Sequence, residues 1–197
     1  MSARVPPQST LPITDPQPWK WSRKQYYRLG DLGFFDGRRV ELIRGEIVEM
    51  SPRNWPHVVS CRKVADVLKK LFTGVAWIAK QEPVDLTESD PEPDVAVIAG
   101  RFEDYAATPT TALLIAEVAE STLFYDTTTK AGLYAEKGIP EYWVIDLVNR
   151  QLLVFRDPVP IAAGGVSYRT QLTLSPSELV SPLALPAASV AVAELLP

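Results

Sequence analysis

Residues 91–99 read Pro91-Glu92-Pro93-Asp94-Val95-Ala96-Val97-Ile98-Ala99, an acid at the head of an unbroken apolar run. The prolines hold the approach extended, and the run after Asp94 has the near-continuous apolar character of a strand covered on both faces. A second such run, Ala112-Leu113-Leu114-Ile115-Ala116-Glu117-Val118, carries its acid near the other end. A carboxylate attached to buried strand is costly unless it is paired or bound to a cation. If the two strands are neighbours, Asp94 and Glu117 come close, and their repulsion either lifts one pKa or recruits a divalent ion. The backbone carbonyl of Val118 is then a further hard oxygen ligand. Lys130, thirteen residues after Glu117 near the start of a helix-like segment, completes the parts needed to hold Mg²⁺ and activate water against a phosphodiester.

Taken singly, each residue also has a plainer reading. Asp94 suits a turn or cap at a strand start, Glu117 half of a buried salt bridge, and Lys130 a solvated helix lysine.

Outward from these runs, the chain alternates short strands and helices. Ser22 caps a helix from Arg23 to Leu29 that Gly30 ends. Val40-Glu41-Leu42-Ile43 and Glu46-Ile47-Val48-Glu49-Met50 flank Arg44-Gly45 as a hairpin. From Pro56 to Phe72 the apolar positions fall on one helix stripe. Strands are expected at Ala76–Gln81, Val84–Leu86, Pro93–Ala99 and Ala112–Val118. A helix follows over Thr127–Lys137, with Asp126 at its start and Gly138 and Pro140 closing it. Glu141–Asp146 and Gln151–Arg156 read as a hairpin, and Tyr168–Leu174 as one more strand. The Pro-, Ala- and Leu-rich tail from Ser175 is apolar enough to dock on the body. The whole reads as an α/β domain over residues 19–197, a mixed sheet with helices packed on it, preceded by an extended or disordered arm at 1–18 that holds five prolines.

At 197 residues, with 46% apolar and 22% charged residues, the chain has an ordinary globular balance and enough length for a substantial core. It has no signal-peptide core and no membrane-spanning run. Cys61 is the single cysteine, so no internal disulfide forms, and a reducing, cytoplasmic setting is expected. The net charge of −4 and pI near 5.1 weigh against a strong grip on nucleic acid. Positive charge is nevertheless concentrated early, in Lys20, Arg23, Lys24 and Arg28, then Arg38, Arg39 and Arg44, then Arg62, Lys63, Lys69 and Lys70.

The ordered set Glu41-Leu-Ile-Arg-Gly-Glu-Ile-Val, His57, Pro91-Glu-Pro-Asp-Val-Ala-Val, Glu117-Val, Asp126, Lys130, Tyr134-Ala and Gly138-Ile-Pro-Glu-Tyr-Trp-Val-Ile-Asp146 resembles the PD-(D/E)XK nuclease superfamily. It is closer still to a branch carrying endonuclease motifs and long described as a domain of unknown function. The resemblance covers roughly residues 20–160. It implies a restriction-endonuclease-like fold in which Asp94 and Glu117 ligate Mg²⁺, or Mn²⁺ in its place, and Lys130 is the catalytic lysine. DNA is then the substrate, and a homodimer is in keeping with duplex cutting. The lysine usually found two residues after the glutamate is Ala119 here, so Lys130 must reach back from the following helix.

Three further residues are accessory candidates. Glu41 is either an added acid near the metal or a salt-bridged strand residue. His57 either touches phosphate or sits near the site, or it is a capping or surface histidine. Gln81 is an extra polar group in the cleft. Tyr142 and Trp143 either line that cleft or belong to the core. Cys61, on the apolar stripe of its helix, reads as core. One histidine without Gly-x-Ser-x-Gly disfavours a serine hydrolase, no Cys/His set suits structural zinc, and no Gly-rich loop cradles phosphate. The alternative function is a catalytically degenerate nuclease fold that binds or assembles, consistent with the acidic pI and Ala119.

Overall fold

The computed structural model describes residues 16–162 and 164–197. The arm expected at 1–18 therefore falls largely outside the described residues. The helix α1 (Arg23–Asp31) starts at a capping box in which Ser22 and Gln25 satisfy each other's backbone N–H groups. Arg23 pins it to the body through Asp85 and Asp90. The strands β1 (Val40–Ile43) and β2 (Glu46–Glu49) then form the expected hairpin. Its turn needs positive φ at Arg44 (49°) and Gly45 (75°). A Cβ on Gly45 would lie 2.9 Å from Lys20, so both backbone conformation and space demand glycine there.

The helix α2 (Trp55–Leu71) is capped by Asn54, whose side chain accepts the His57 N–H. A six-stranded sheet follows: β3 (Ala76–Ala79), β4 (Val95–Ala99), β5 (Leu114–Ala119), β6 (Glu141–Asp146), β7 (Gln151–Pro160) and β8 (Val166–Leu174), paired in that order. Only β5 and β6 run parallel; every other pair is antiparallel. The parallel pair requires a crossover, and this one carries α3 (Leu123–Tyr125), a π turn (Asp126–Lys130) and α4 (Ala131–Glu136) as one continuous helical segment.

Strand alternation sorts the core into two layers. Val95, Val97, Leu114, Ala116 and Val118 pack with α2, and Ala96, Ile98, Ile115 and Ala119 pack with the crossover helix. Tyr142 and Trp143 are fully buried, so of their two sequence readings the core one holds. The short strands β9 (Leu179–Val180) and β10 (Val190–Ala191) fold the tail onto the α2 layer, where Val180, Val192, Leu195 and Leu196 are buried. Ser60 and Lys63 of α2 donate to the carbonyls of Leu195 and Leu196 at 2.7 and 2.6 Å. Leu195→Ala is accordingly expected to cost about 2–5 kcal/mol in urea unfolding, the range for a buried leucine cut to alanine.

Two local expectations differ from the structure. Val84–Leu86 is not a strand. Its backbone turns back through Val84 N–H to the Pro91 carbonyl and Leu86 N–H to the Ser89 carbonyl, with Thr87 at φ 71°. The crossover helix begins at Leu123 rather than after Asp126, which places Asp126 and Lys130 mid-helix.

Candidate active site

The register Val95↔Ala116 sets Asp94 opposite Glu117 just before β4 begins, where the β4–β5 ladder stops. Side chains take over the ladder's hydrogen bonds there. The Asp94 N–H donates to Glu117 Oε2 at 3.2 Å, and the Val118 N–H donates to Asp94 Oδ2 at 2.9 Å. Both carboxylates are nearly inaccessible; Glu117 is held by the Asp94 backbone, and Asp94 by that of Val118.

The crossover helix brings the cation. The Thr127 and Thr128 hydroxyls bond the carbonyls of Leu123 and Phe124 at 2.7 and 2.6 Å, competing with the α-helical ladder. The Ala131 N–H reaches back five residues to the Asp126 carbonyl. This wider turn points both Asp126 and Lys130 inward, and both are buried. Single π turns of this kind gather at functional sites. Lys130 Nζ lies 2.8 Å from Glu117 Oε1 and 3.2 Å from Glu41 Oε2. One helical turn on, Tyr134 donates its hydroxyl to the same Glu117 oxygen at 2.9 Å.

The accessory candidates fall as follows. Glu41, on β1, is buried against Lys130, so its salt-bridge reading holds and it also stands beside the acids. His57 is not a surface residue: its Nε2 is 3.2 Å from Asp94 Oδ2. Its other nitrogen, Nδ1, faces Cys61 Sγ at 3.4 Å. Gln81 lies beyond the end of β3 and offers its amide to Asp94 Oδ1 at 3.5 Å. Val118 lines the cleft with Arg39, Arg53, Glu92, Thr122 and Asp126, around a cavity of about 50 Å³.

Sequence reasoning missed Arg53, 3.9 Å from Asp94, and the contact of Tyr134 with Glu117. Arg53 sits in the Ser51–Asn54 loop, where no periodicity marks a direction. The spacing of Lys130 and Tyr134 did place them on one helical face. Three of the early basic residues are ion-paired on the surface instead, Lys20 with Glu46, Arg38 with Glu49 and Arg44 with Glu136.

The electrostatics are those of an unbalanced cluster. Glu41, Asp94, Glu117 and Asp126 are all buried, with Lys130 the one buried lysine among the described residues. Burial pushes the Glu117 carboxyl up to about 8 despite the opposing pull of Lys130, with Asp94 and Asp126 adding to the rise. Burial likewise lifts Asp126 to about 6 against Lys130 and the Thr122 hydroxyl. Asp94 moves the other way: burial opposes its ionisation, but His57, the Val118 N–H and Lys130 outweigh it and hold the carboxyl down at about 2. Burial opposes the charge of Lys130, and Glu117, Glu41 and Asp126 more than restore it. Glu41 Oε2 is buried with the Lys130 ammonium at 3.2 Å as its ion-pair partner and no well-directed hydrogen bond. Surplus buried carboxylate and an all-oxygen donor set fit a hard divalent cation.

A mixed sheet whose neighbouring strands β4 and β5 bring an acid from the head of one against an acid near the end of the other, with a lysine delivered by the crossover helix, defines a restriction-endonuclease-like α/β protein. The chain belongs to the Uma2 family, described as "Putative restriction endonuclease", whose model matches residues 23–193. Among solved structures it is similar to one titled as a "putative nuclease belonging to DUF820" from Anabaena variabilis, with a TM-score of 0.70 and 16% identity over 88% of this chain and 96% of that one. That likeness shows a shared fold. No curated protein matches the chain. Among the described residues no helix is long and apolar enough to cross a membrane.

Proposed function

We propose that this protein is a divalent-cation-dependent endonuclease that hydrolyses phosphodiester bonds in DNA. Asp94, Glu117 and the Val118 carbonyl would hold Mg²⁺, with Mn²⁺ able to replace it, and Lys130 would be the catalytic lysine. The observation that carries this reading is the 2.8 Å contact of Lys130 Nζ with Glu117 inside a buried cluster rich in acids. It supplies from the helix the cation that Ala119 does not. When bound, Mg²⁺ supplies Lewis-acid charge and a water of lowered pKa.

The residues divide the remaining work. The Val118 N–H and His57 fix the rotation of the Asp94 carboxylate, as hydrogen-bonded carboxylate ligands require. Tyr134 fixes Glu117 in the same way. Lys130 keeps a positive charge where negative charge develops on the pentavalent phosphate. Glu41 and Gln81 hold Lys130 and Asp94 from the far sides. Arg39 and Arg53 line the cleft and suit the flanking phosphates. Trp55 and Phe124 are highly exposed on the elements that flank it, and their rings suit base stacking. Cutting both strands of a duplex calls for two sites, which two copies of the chain would provide.

The test is cleavage of plasmid and single-stranded DNA with Mg²⁺ or Mn²⁺. Metal-dependent cutting is expected; a folded protein that cuts neither would favour a binding role for the same fold.

The pKa shifts add a prediction. Glu117 and Asp126 hold their protons more tightly folded than unfolded, so the stability they contribute is present at low pH. It is lost as pH rises through about 6 and then about 8. A cation displaces those protons, so the rise in Tm on adding millimolar Mg²⁺ is expected to grow across the same window. Melting curves with and without Mg²⁺ at either end of the window check this. An equal shift at both ends, or one kept by Asp94→Asn, would contradict it.

A further inference from the structure

Behind Asp94, on the side away from Lys130, the oxygen-rich character of the site gives way to softer donors. His57 and Cys61 lie one turn apart on α2 and so share a helix face. Cys61 Sγ is 3.4 Å from His57 Nδ1, and His57 Nε2 is 3.2 Å from Asp94 Oδ2. One donor atom from each of the three residues lies within 4.8 Å of the other two. Four-coordinate zinc sites use this mixture of thiolate, imidazole and carboxylate, with three protein ligands leaving a fourth position for water or substrate. His57 lines the cleft, which gives a cation its way in.

We propose that His57, Cys61 and Asp94 form a binding site for a thiophilic divalent cation of the Zn²⁺ class, sharing Asp94 with the oxygen site. The two sites differ in ligand preference for a physical reason. Mg²⁺ selects hard oxygens and dehydrates reluctantly, whereas thiolate and imidazole favour Zn²⁺ and Co²⁺. The unbound thiol is neutral, because burial and then the Asp94 carboxylate push its pKa well above the ordinary value. Binding therefore releases its proton to solvent, and the new metal–sulfur bond replaces the S–H. His57 Nε2 and the Val118 N–H both meet the same Asp94 oxygen, Oδ2, so a cation seated in the soft site takes that oxygen from its backbone anchor and disturbs the oxygen site. The binding claim stands apart from the nuclease reading; the consequence for cleavage rests on it.

Cobalt titration of the full chain tests the site. Co²⁺ is expected to bring up a thiolate-to-cobalt charge-transfer band in the near ultraviolet, which equimolar Zn²⁺ bleaches and millimolar Mg²⁺ leaves in place. The band should vanish in Cys61→Ala, and Zn²⁺ should bind that variant at least about tenfold more weakly, the lower end of what even an outer-shell loss costs. Cys61→Ser serves if the alanine variant does not fold. No band in the wild type, or a band that survives loss of Cys61, overturns the proposal. In a second arm, Zn²⁺ is titrated into the Mg²⁺-dependent cleavage of each protein, scored against that protein's own rate. Inhibition at lower Zn²⁺ in wild type than in Cys61→Ala is expected, and equal sensitivity overturns the competition for Asp94. If no protein cleaves DNA at all, the nuclease reading fails while the cobalt band still decides the site.

Discussion

Lys130→Met is expected to lower metal-dependent DNA cleavage by roughly 10²–10³-fold in kcat, the usual cost of removing one preorganised group that meets developing charge. Methionine keeps the buried stem and discards the ammonium that lies 2.8 Å from Glu117 and 3.2 Å from Glu41. The two acids are then left buried without their cation, so part of the folding stability goes as well. Thermal melts on the same sample separate that loss from the chemistry. Asp94→Asn should match or exceed the cleavage defect at a smaller structural cost. The amide oxygen still accepts the Val118 N–H, while the negative charge is gone. Tyr134→Phe, which removes only the hydroxyl that steadies Glu117, is expected to fall between these variants and wild type. Cleavage by Lys130→Met at the wild-type rate would remove the lysine from the mechanism.

The second large effect is on stability, and it lies far from the acids. Glu141→Ala should cost about 3–5 kcal/mol, the penalty for deleting one partner of a buried ion pair. Glu141 is fully buried at the start of β6. Its Oε1 accepts from Trp143 Nε1 at 2.9 Å and from the Arg156 guanidinium at 2.9 and 2.6 Å, and its Oε2 accepts the Leu183 N–H at 2.7 Å. Arg156 also reaches the Ser181 carbonyl at 2.6 Å. One carboxylate thus joins β6, β7 and the C-terminal tail, and its removal leaves an indole and an amide without acceptors and a guanidinium with the Ser181 carbonyl but no counter-charge. Chemical denaturation of Glu141→Ala and Glu141→Gln reads this directly. Gln is expected to recover part of the loss, since it keeps an acceptor and loses the charge. Wild-type stability in both variants would assign the Pro140-Glu141-Tyr142-Trp143 motif some role other than architecture.

That motif shows where reading the chain stops. Its pattern marked a strand, and Tyr142 and Trp143 had the bulk of core residues. The work of Glu141 depends on Leu183, some forty residues later, and no local pattern announces such a contact.

Legibility of the candidate site follows the same rule. Asp94 and Glu117 stood out because an acid joined to an apolar strand breaks a pattern of period two or an unbroken run, and such a break is visible in the chain. Lys130 stood out through spacing and resemblance. His57 was legible only as an accessory candidate, because a histidine three residues past a helix cap looks the same whether it faces water or an aspartate. Only the packing of α2 on the sheet beside the start of β4 turns it toward Asp94. The π turn was equally hidden, since Asp126-Thr-Thr-Thr-Lys130 reads as an ordinary first turn of helix. It takes threonine hydroxyls on the carbonyls of the preceding turn to widen it.

The sequence by itself determined most of the strands and helices, the two acids, and the α/β class, because periodicity, caps and turn residues act over a few neighbouring positions. Tertiary structure alone decided that β4 and β5 are neighbours in a register that sets Asp94 against Glu117. It also decided that Glu41 meets Lys130 across eighty-nine residues and that His57 and Cys61 stand behind the same aspartate. Those pairings are made by the burial of two sheet faces and by the charge balance of one small cluster, and both are sums over residues far apart in the chain.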